Sequence, residues 1–416
     1  MYYRILCALL LVLTLSACAK NVTFFPHHAQ TRAEGITRVY VDAHGSIYPR
    51  SHLNPVTSDL PSGSLYRYMS RGQANECAIA PAGSQAGRLC ATQGDLELWR
   101  DVQATIWSET ADEVLAQSGA AERDVDLVVL VHGFNNDYGE ANSAFLLAQD
   151  ALRTHANTGR PIHFVEVYWD GFQGVQNRAW SYAQGSGPLV GFQMRQLLNG
   201  ISEGLQQRAD NATTVRILTH SSGAFVLGAT FGNPAAALPE LRDPDSEGYY
   251  LFAQHASLDY TQYRVPQFRD LRIAMLAAAT PSLTFDPMGD EAAGFLSEGA
   301  HVMLAVNPND ATLDKYGLGA NFFWSGATNL GIEAEFYCED LRGDPLLAGR
   351  DVSFVGYDFD RTGTPLEAEY LREHAFTKYI EQANLHTSFF ADFMAMERVD
   401  RSSQVADLCE GFTPEG

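Results

Sequence analysis

A chain of 416 residues with 46% hydrophobic and 11% aromatic content has room for one large domain or two ordinary ones and can bury a substantial core, which argues against global disorder. Its formal net charge is -22, and only three of its 28 basic residues are lysines. Nucleic-acid phosphates would repel such a surface, so nucleic-acid binding is disfavoured, and the acidity serves solubility.

The first element is a leader. In "MYYRILCALLLVLTLSACAK" Arg4 supplies the positive region, and the 11-residue apolar segment Ile5 to Leu15 follows. That segment is too short for a bilayer, which needs roughly 20 residues, and suits a signal-peptide core. Leu15-Ser16-Ala17-Cys18 resembles a bacterial lipobox, which implies cleavage after Ala17, a diacylglycerol on the Cys18 thiol and a membrane anchor made of lipid. Ala19, rather than Asp, after the cysteine implies the outer membrane of a two-membrane envelope. Residues 18–35 read as a tether and 36–416 as one domain, with the motifs concentrated in 120–395. Cys77, Cys90, Cys338 and Cys409 then remain. An even number of cysteines in an exported protein favours disulfides, and three pairings stay open. The adjacent His27 and His28 have no partner cluster and read as solvated.

"TRVYVDAHGSIYP" (37–49) reads as a strand, followed by a Ser-, Gly- and Pro-rich loop to about residue 94. Apolar residues at helical spacing (Leu98, Val102, Ile106, Val114, Leu115) predict a helix from Asp95. The unbroken apolar run Leu127 to Val131 suits a strand buried on both faces of a parallel sheet. A helix over 140–156, a strand over 162–171, a helix from Val190 to Ala209 and a strand from Val215 to Leu218 complete an alternating order. That alternation predicts a mostly parallel, doubly wound α/β sheet flanked by helices. Ala224 to Thr230 begins the next helix, and strands follow at 271–280, 301–310 and 351–360. The tyrosine-rich stretch 248–268 fits either a cap over a pocket or plain packing, and the aromatics of "GLGANFFWSG" (317–326) fit an acyl pocket or loop anchors.

The chemistry gathers at Thr219-His220-Ser221-Ser222-Gly223, where a β-branched strand runs into two serines. A serine hydroxyl becomes a nucleophile only when a neighbouring base takes its proton and donors await the oxyanion. A sharp strand-to-helix turn of G-x-S-x-G type presents such a serine; Gly223 keeps the second glycine, and Thr219 replaces the first. Two strands upstream, His132-Gly133-Phe134 follows the Leu127–Val131 run. Downstream, Asp310 ends "HVMLAVNPND", and His386 lies in "EQANLHTSFFADF".

Together these residues resemble an α/β-hydrolase of a bacterial group filed as a hydrolase-like domain of unknown function. The resemblance rests on Val131-His132-Gly133-Phe134-Asn135, Tyr168-Trp169, the 219–223 elbow and His386-Thr387-Ser388-Phe389-Phe390. It covers roughly 120–395 and departs at Thr219 (small in the group), Ser222 (Met in the group) and Asp170 (often Pro). It implies the α/β-hydrolase fold and a triad in the chain order Ser, Asp, His: Ser221 as nucleophile, Asp310 orienting, His386 as base and then acid. It also implies an oxyanion hole from the N–H groups of Phe134 and Ser222 and an ester, thioester or amide substrate of small-molecule or lipid type. The sequence has no HExxH pair, no GxxxxGK loop and no GxGxxG after the first strand, so no cofactor or metal is expected. His374 competes with His386 but falls on a plausible helix, and Asp286 and Asp314 compete with Asp310. His132 and His220 read as structural, and Asn135, Asn136 and Asp137 as caps for the next helix. A catalytically silent scaffold that binds a ligand or an envelope partner is the alternative.

Overall fold

A computed structural model describes residues 34–47, 96–173, 176–232, 264–280, 299–307, 310, 312–313, 352–359, 374–385 and 387–398. The lipobox, the four cysteines, His386, Asp286, Asp314, the 248–263 tyrosines and the 317–326 aromatics lie outside the described residues. Seven strands, β1 (Ile36–Val41), β2 (Asp126–Val131), β3 (Ile162–Trp169), β4 (Thr214–His220), β5 (Leu271–Leu276), β6 (Ala300–Val306) and β7 (Ser353–Asp358), form one sheet in the order β1-β3-β2-β4-β5-β6-β7. Every neighbouring pair is parallel. Strands β2, β4, β5 and β6 are buried at every position, as the continuous apolar runs predict for a sheet covered on both faces.

Six helices complete the described chain: α1 (Leu96–Ser118), α2 (Tyr138–His155), α3 (Gln176–Gln206), α4 (Gly223–Phe231), α5 (Phe376–Leu385) and α6 (Phe389–Met394). Helices α1, α3 and α4 pack on one another, and α2, α5 and α6 form a second group. The pleat assigns the groups to opposite faces, because successive strand residues point opposite ways. On β3, His163 meets Thr37, which in turn bonds Gln117 of α1, whereas Glu166 meets Gln149 of α2. This is a doubly wound sheet of the α/β-hydrolase fold class.

Helix α3 begins at Gln176, well before the expected Val190, and runs through Gly185, Gly187 and Pro188. Tertiary packing explains the extension. A Cβ on Gly191 would lie 2.2 Å from the Val226 carbonyl oxygen, and one on Gly187 would lie 3.0 Å from Phe225 Cβ. The bare backbone lets α3 sit directly on α4, and that contact outweighs poor intrinsic helix propensity. Helix α2 starts at Tyr138 with a capping box, since the Asp137 carboxylate accepts the Glu140 N–H and the Glu140 carboxylate accepts the Asp137 N–H.

Candidate active site

Every element of the site sits at the carboxyl edge of the sheet, where open α/β sheets bind their ligands. Strand β4 ends at His220 and α4 begins at Gly223, so Ser221 occupies a two-residue elbow with φ 52°. The elbow is pinned through its backbone: Ser221 N–H donates to the Leu276 carbonyl at 3.0 Å, and Ser221 C=O accepts from Ala224 at 3.0 Å and Ala279 at 3.2 Å. Two glycines make room. A Cβ on Gly133 would lie 2.8 Å from Ser221 Cβ, and one on Gly223 would lie 3.0 Å from the carbonyl oxygens of Val131 and His132. The loop after β2 and the elbow after β4 therefore touch only because both positions lack side chains. Thr219 is accommodated: a Cβ on Gly223 would still be 3.4 Å from its Cβ. Its buried hydroxyl has no hydrogen-bond partner among the described residues.

Ser221 Oγ lies 2.7 Å from Nε2 of His374, and Nδ1 of His374 lies 2.7 Å from Oδ2 of Asp310. With a carboxylate as acceptor, the proton sits on Nδ1 and leaves Nε2 to accept from the serine. The histidine joining Ser221 to Asp310 is thus His374, where the sequence favoured His386. The ranking depended on placing His374 inside a helix; α5 begins at Phe376, so His374 is on the loop that leads into it. Asp310 stands where the sequence placed it, after β6 and fully buried.

The surroundings of Asp310 tune it. Burial alone would raise its pKa, but the adjacent His374, a hydrogen bond from it, and donated bonds from Tyr379 and the Leu313 N–H outweigh burial and hold it below the usual carboxylate value. Tyr379 OH donates to Oδ2 at 2.6 Å and accepts from Asn307 Nδ2 at 3.1 Å. On the other oxygen, the N–H groups of Thr312 and Leu313 arrive at 2.9 and 3.1 Å. Neither Tyr379 nor Asn307 stood out in the sequence. Their positions carried a signal, since Asn307 directly follows β6 and Tyr379 lies five residues beyond His374.

The two histidines read as structural are both buried beside the elbow. His132 Nε2 accepts the Trp169 N–H at 3.1 Å, its Nδ1 donates to the Gly133 carbonyl at 2.7 Å, and burial lowers its pKa to about 4. The Trp169 indole returns a bond to the His132 carbonyl at 2.7 Å, fixing the β2 turn to β3. His220 stacks on Phe376 with ring centroids 4.7 Å apart and lies 5.0 Å from the His374 ring. Burial first, then the neighbouring His374, holds His220 far below its ordinary pKa, so it meets the triad as a neutral ring.

The two expected oxyanion donors are brought together through an unforeseen bond. Phe134 N–H donates to the side-chain Oγ of Ser222 at 2.7 Å. An oxyanion that uses the Phe134 N–H must displace that hydroxyl. Of the three proposed cap residues, Asp137 caps α2, and Asn136 instead donates to the Gly133 carbonyl at 3.0 Å, stiffening the same turn.

No family model matches this sequence, and no curated protein matches it. Solved structures that are similar in part include the following two. One is lipase B of Aspergillus fumigatus, at 9% identity and a TM-score of 0.25, covering 70% of this chain and 71% of the lipase. The other is an uncharacterized protein from Pseudomonas aeruginosa, at 10% identity and a TM-score of 0.25, covering 79% of this chain and 54% of that one.

Proposed function

We propose that this protein is a serine hydrolase acting on an ester, thioester or amide. The observation that carries the reading is the unbroken chain Ser221–His374–Asp310, with 2.7 Å at each link. Ser221 Oγ attacks the acyl carbonyl carbon while its proton passes to Nε2 of His374. Asp310 keeps the ring in register and stabilises the imidazolium that forms. As the tetrahedral intermediate collapses, His374 returns the proton to the leaving group. Water, activated by the same histidine, then releases the acid and restores the serine. The acyl group is of small-molecule or lipid type, and the leader with its Leu15-Ser16-Ala17-Cys18 sequence supports a lipid-anchored form in the cell envelope. The silent-scaffold reading draws on one observation, the Ser222 hydroxyl seated on the Phe134 N–H.

Covalent labelling by a fluorophosphonate separates the two. The expected result is labelling of the wild type and of Ser222→Ala and His386→Ala, with loss in Ser221→Ala and a deep loss in His374→Ala. Folded wild-type protein that takes no label would favour the scaffold. Loss in His386→Ala with His374→Ala intact would restore the histidine that the sequence favoured.

A further inference from the structure

The edge of the sheet opposite the triad carries a second, unrelated cluster. Arg160 precedes β3, Arg269 and Asp270 precede β5, Arg272 is its second residue, and Arg398 follows α6. These five residues line one cavity of about 310 Å³ together with residues at the start of β4. Its size falls within the range of small-molecule sites, roughly 300–1,000 Å³. Four guanidiniums to one carboxylate is an inverted balance in a chain of net charge -22.

The carboxylates outside the cavity are engaged elsewhere, and the one inside it, Asp270, is shared by Arg272 and by Arg398 at 3.9 Å. Asp126 faces Arg216 at 3.2 Å, and Asp392 accepts from Tyr357 at 2.9 Å and Ser388 at 2.7 Å. Asp270 accepts the Thr214 hydroxyl at 2.9 Å and Arg272 at 3.4 Å. Arg272 is 1% exposed; its terminal nitrogens donate to the Ala395 and Met396 carbonyls and to Asp270, and its Nε has no hydrogen-bond partner among the described residues. Arg216 falls to a pKa of about 10 through burial, against the pull of Asp126 and with Arg272 pushing down, and His301 falls to about 4 through burial, then Arg272 and Arg398.

We propose that this cavity binds the phosphate group of an anionic ligand. A carboxylate occupies one guanidinium fork, whereas a phosphate group, with one charge as a diester and up to about two as a monoester or free ion, has acceptor oxygens enough to engage forks from several chain segments at once. Strands of six to eight residues put this site roughly 20–25 Å from the triad, so it stands apart from the hydrolase reading.

The test uses the full chain. Thermal unfolding is followed in chloride, acetate and inorganic phosphate at matched ionic strength, and co-sedimentation is measured with phosphatidylglycerol and with phosphatidylcholine vesicles. The expected result is a phosphate-specific rise in melting temperature that acetate does not reproduce. The exposed Arg269→Gln change should weaken the phosphate effect about tenfold, the worth of one charge-assisted bond, while leaving the melting temperature in chloride nearly unchanged. Arg398→Gln, tested separately, should weaken the phosphate effect as well, with some fall of the melting temperature in chloride because its guanidinium also donates to the Gly299 carbonyl. A response to phosphatidylglycerol vesicles alone, lost in Arg269→Gln, would identify the source as a lipid headgroup. A phosphate effect equal to that of chloride with no vesicle binding, or one untouched by both variants, would overturn the proposal.

Discussion

At the scale of single residues, the site is a set of hydrogen bonds whose removal has distinct costs. Tyr379→Phe removes one bond to Asp310 and the bond that Asn307 donates to Tyr379. Acylation is expected to slow about tenfold, the equivalent of one bond to a charged group, with the protein still labelled; stopped-flow labelling measures it. Ser222→Ala should act in the opposite direction. It clears Oγ from the Phe134 N–H, so the oxyanion no longer competes with a resident hydroxyl, and labelling should quicken a few-fold for a bond worth about 1 kcal/mol. A slower rate would mean that the hydroxyl itself serves the oxyanion. Ser221 and Asp310 were legible because each follows a strand whose apolar run is unmistakable. His374 was not, because apolar periodicity around it resembles helix, and the helix boundary two residues further on carries no capping signal.

At the scale of elements, glycines set how closely the parts approach. Gly191→Ala drives a methyl group to within 2.2 Å of the Val226 carbonyl oxygen, and α3 must move off α4 to relieve it. Overpacking of this kind costs about 1–3 kcal/mol, measurable by chemical denaturation, and the shift should carry the elbow with it. Thr219→Val offers the reverse. It keeps the shape and removes a buried hydroxyl that has no partner among the described residues, so stability should rise by about 1 kcal/mol. The sheet's order of elements was legible from hydrophobic runs alone. The first half of α3 was not, since Gly185, Gly187 and Pro188 argue against helix until the contact with α4 is known.

At the scale of the whole molecule, buried histidines set the acid limit. His132, His163 and His301 each sit at a pKa of about 4, chiefly through burial, against about 6.5 in an unfolded chain. Between those values the unfolded chain binds more protons, so the histidines' share of stability is complete above about pH 6.5 and falls as the pH drops toward 4, by up to about 3 kcal/mol for each histidine, while Asp42, raised by burial, works the other way. Asp310, held low, adds to the loss once the pH falls below the usual carboxylate range. Urea titrations between pH 7.5 and 4 should show a steadily falling midpoint, and replacing His163 with Gln should flatten part of the slope. The arginine cluster belongs to this scale too. Its members come from distant parts of the chain, and only the register of the parallel strands brings them to one edge.

The elbow has a thermodynamic consequence of its own. Ser221 holds a left-handed backbone, at φ 52°, that a side chain disfavours by about 1–2 kcal/mol. Set against a typical total of about 5–15 kcal/mol, that is a sizeable fraction of the folding free energy. Ser221→Gly and Ser221→Ala both forfeit the hydroxyl, yet the glycine form should melt higher, contrary to glycine's usual effect on stability. Random mutagenesis scored for heat resistance alone would therefore drift toward glycine at position 221, trading the reactive group for a relaxed backbone.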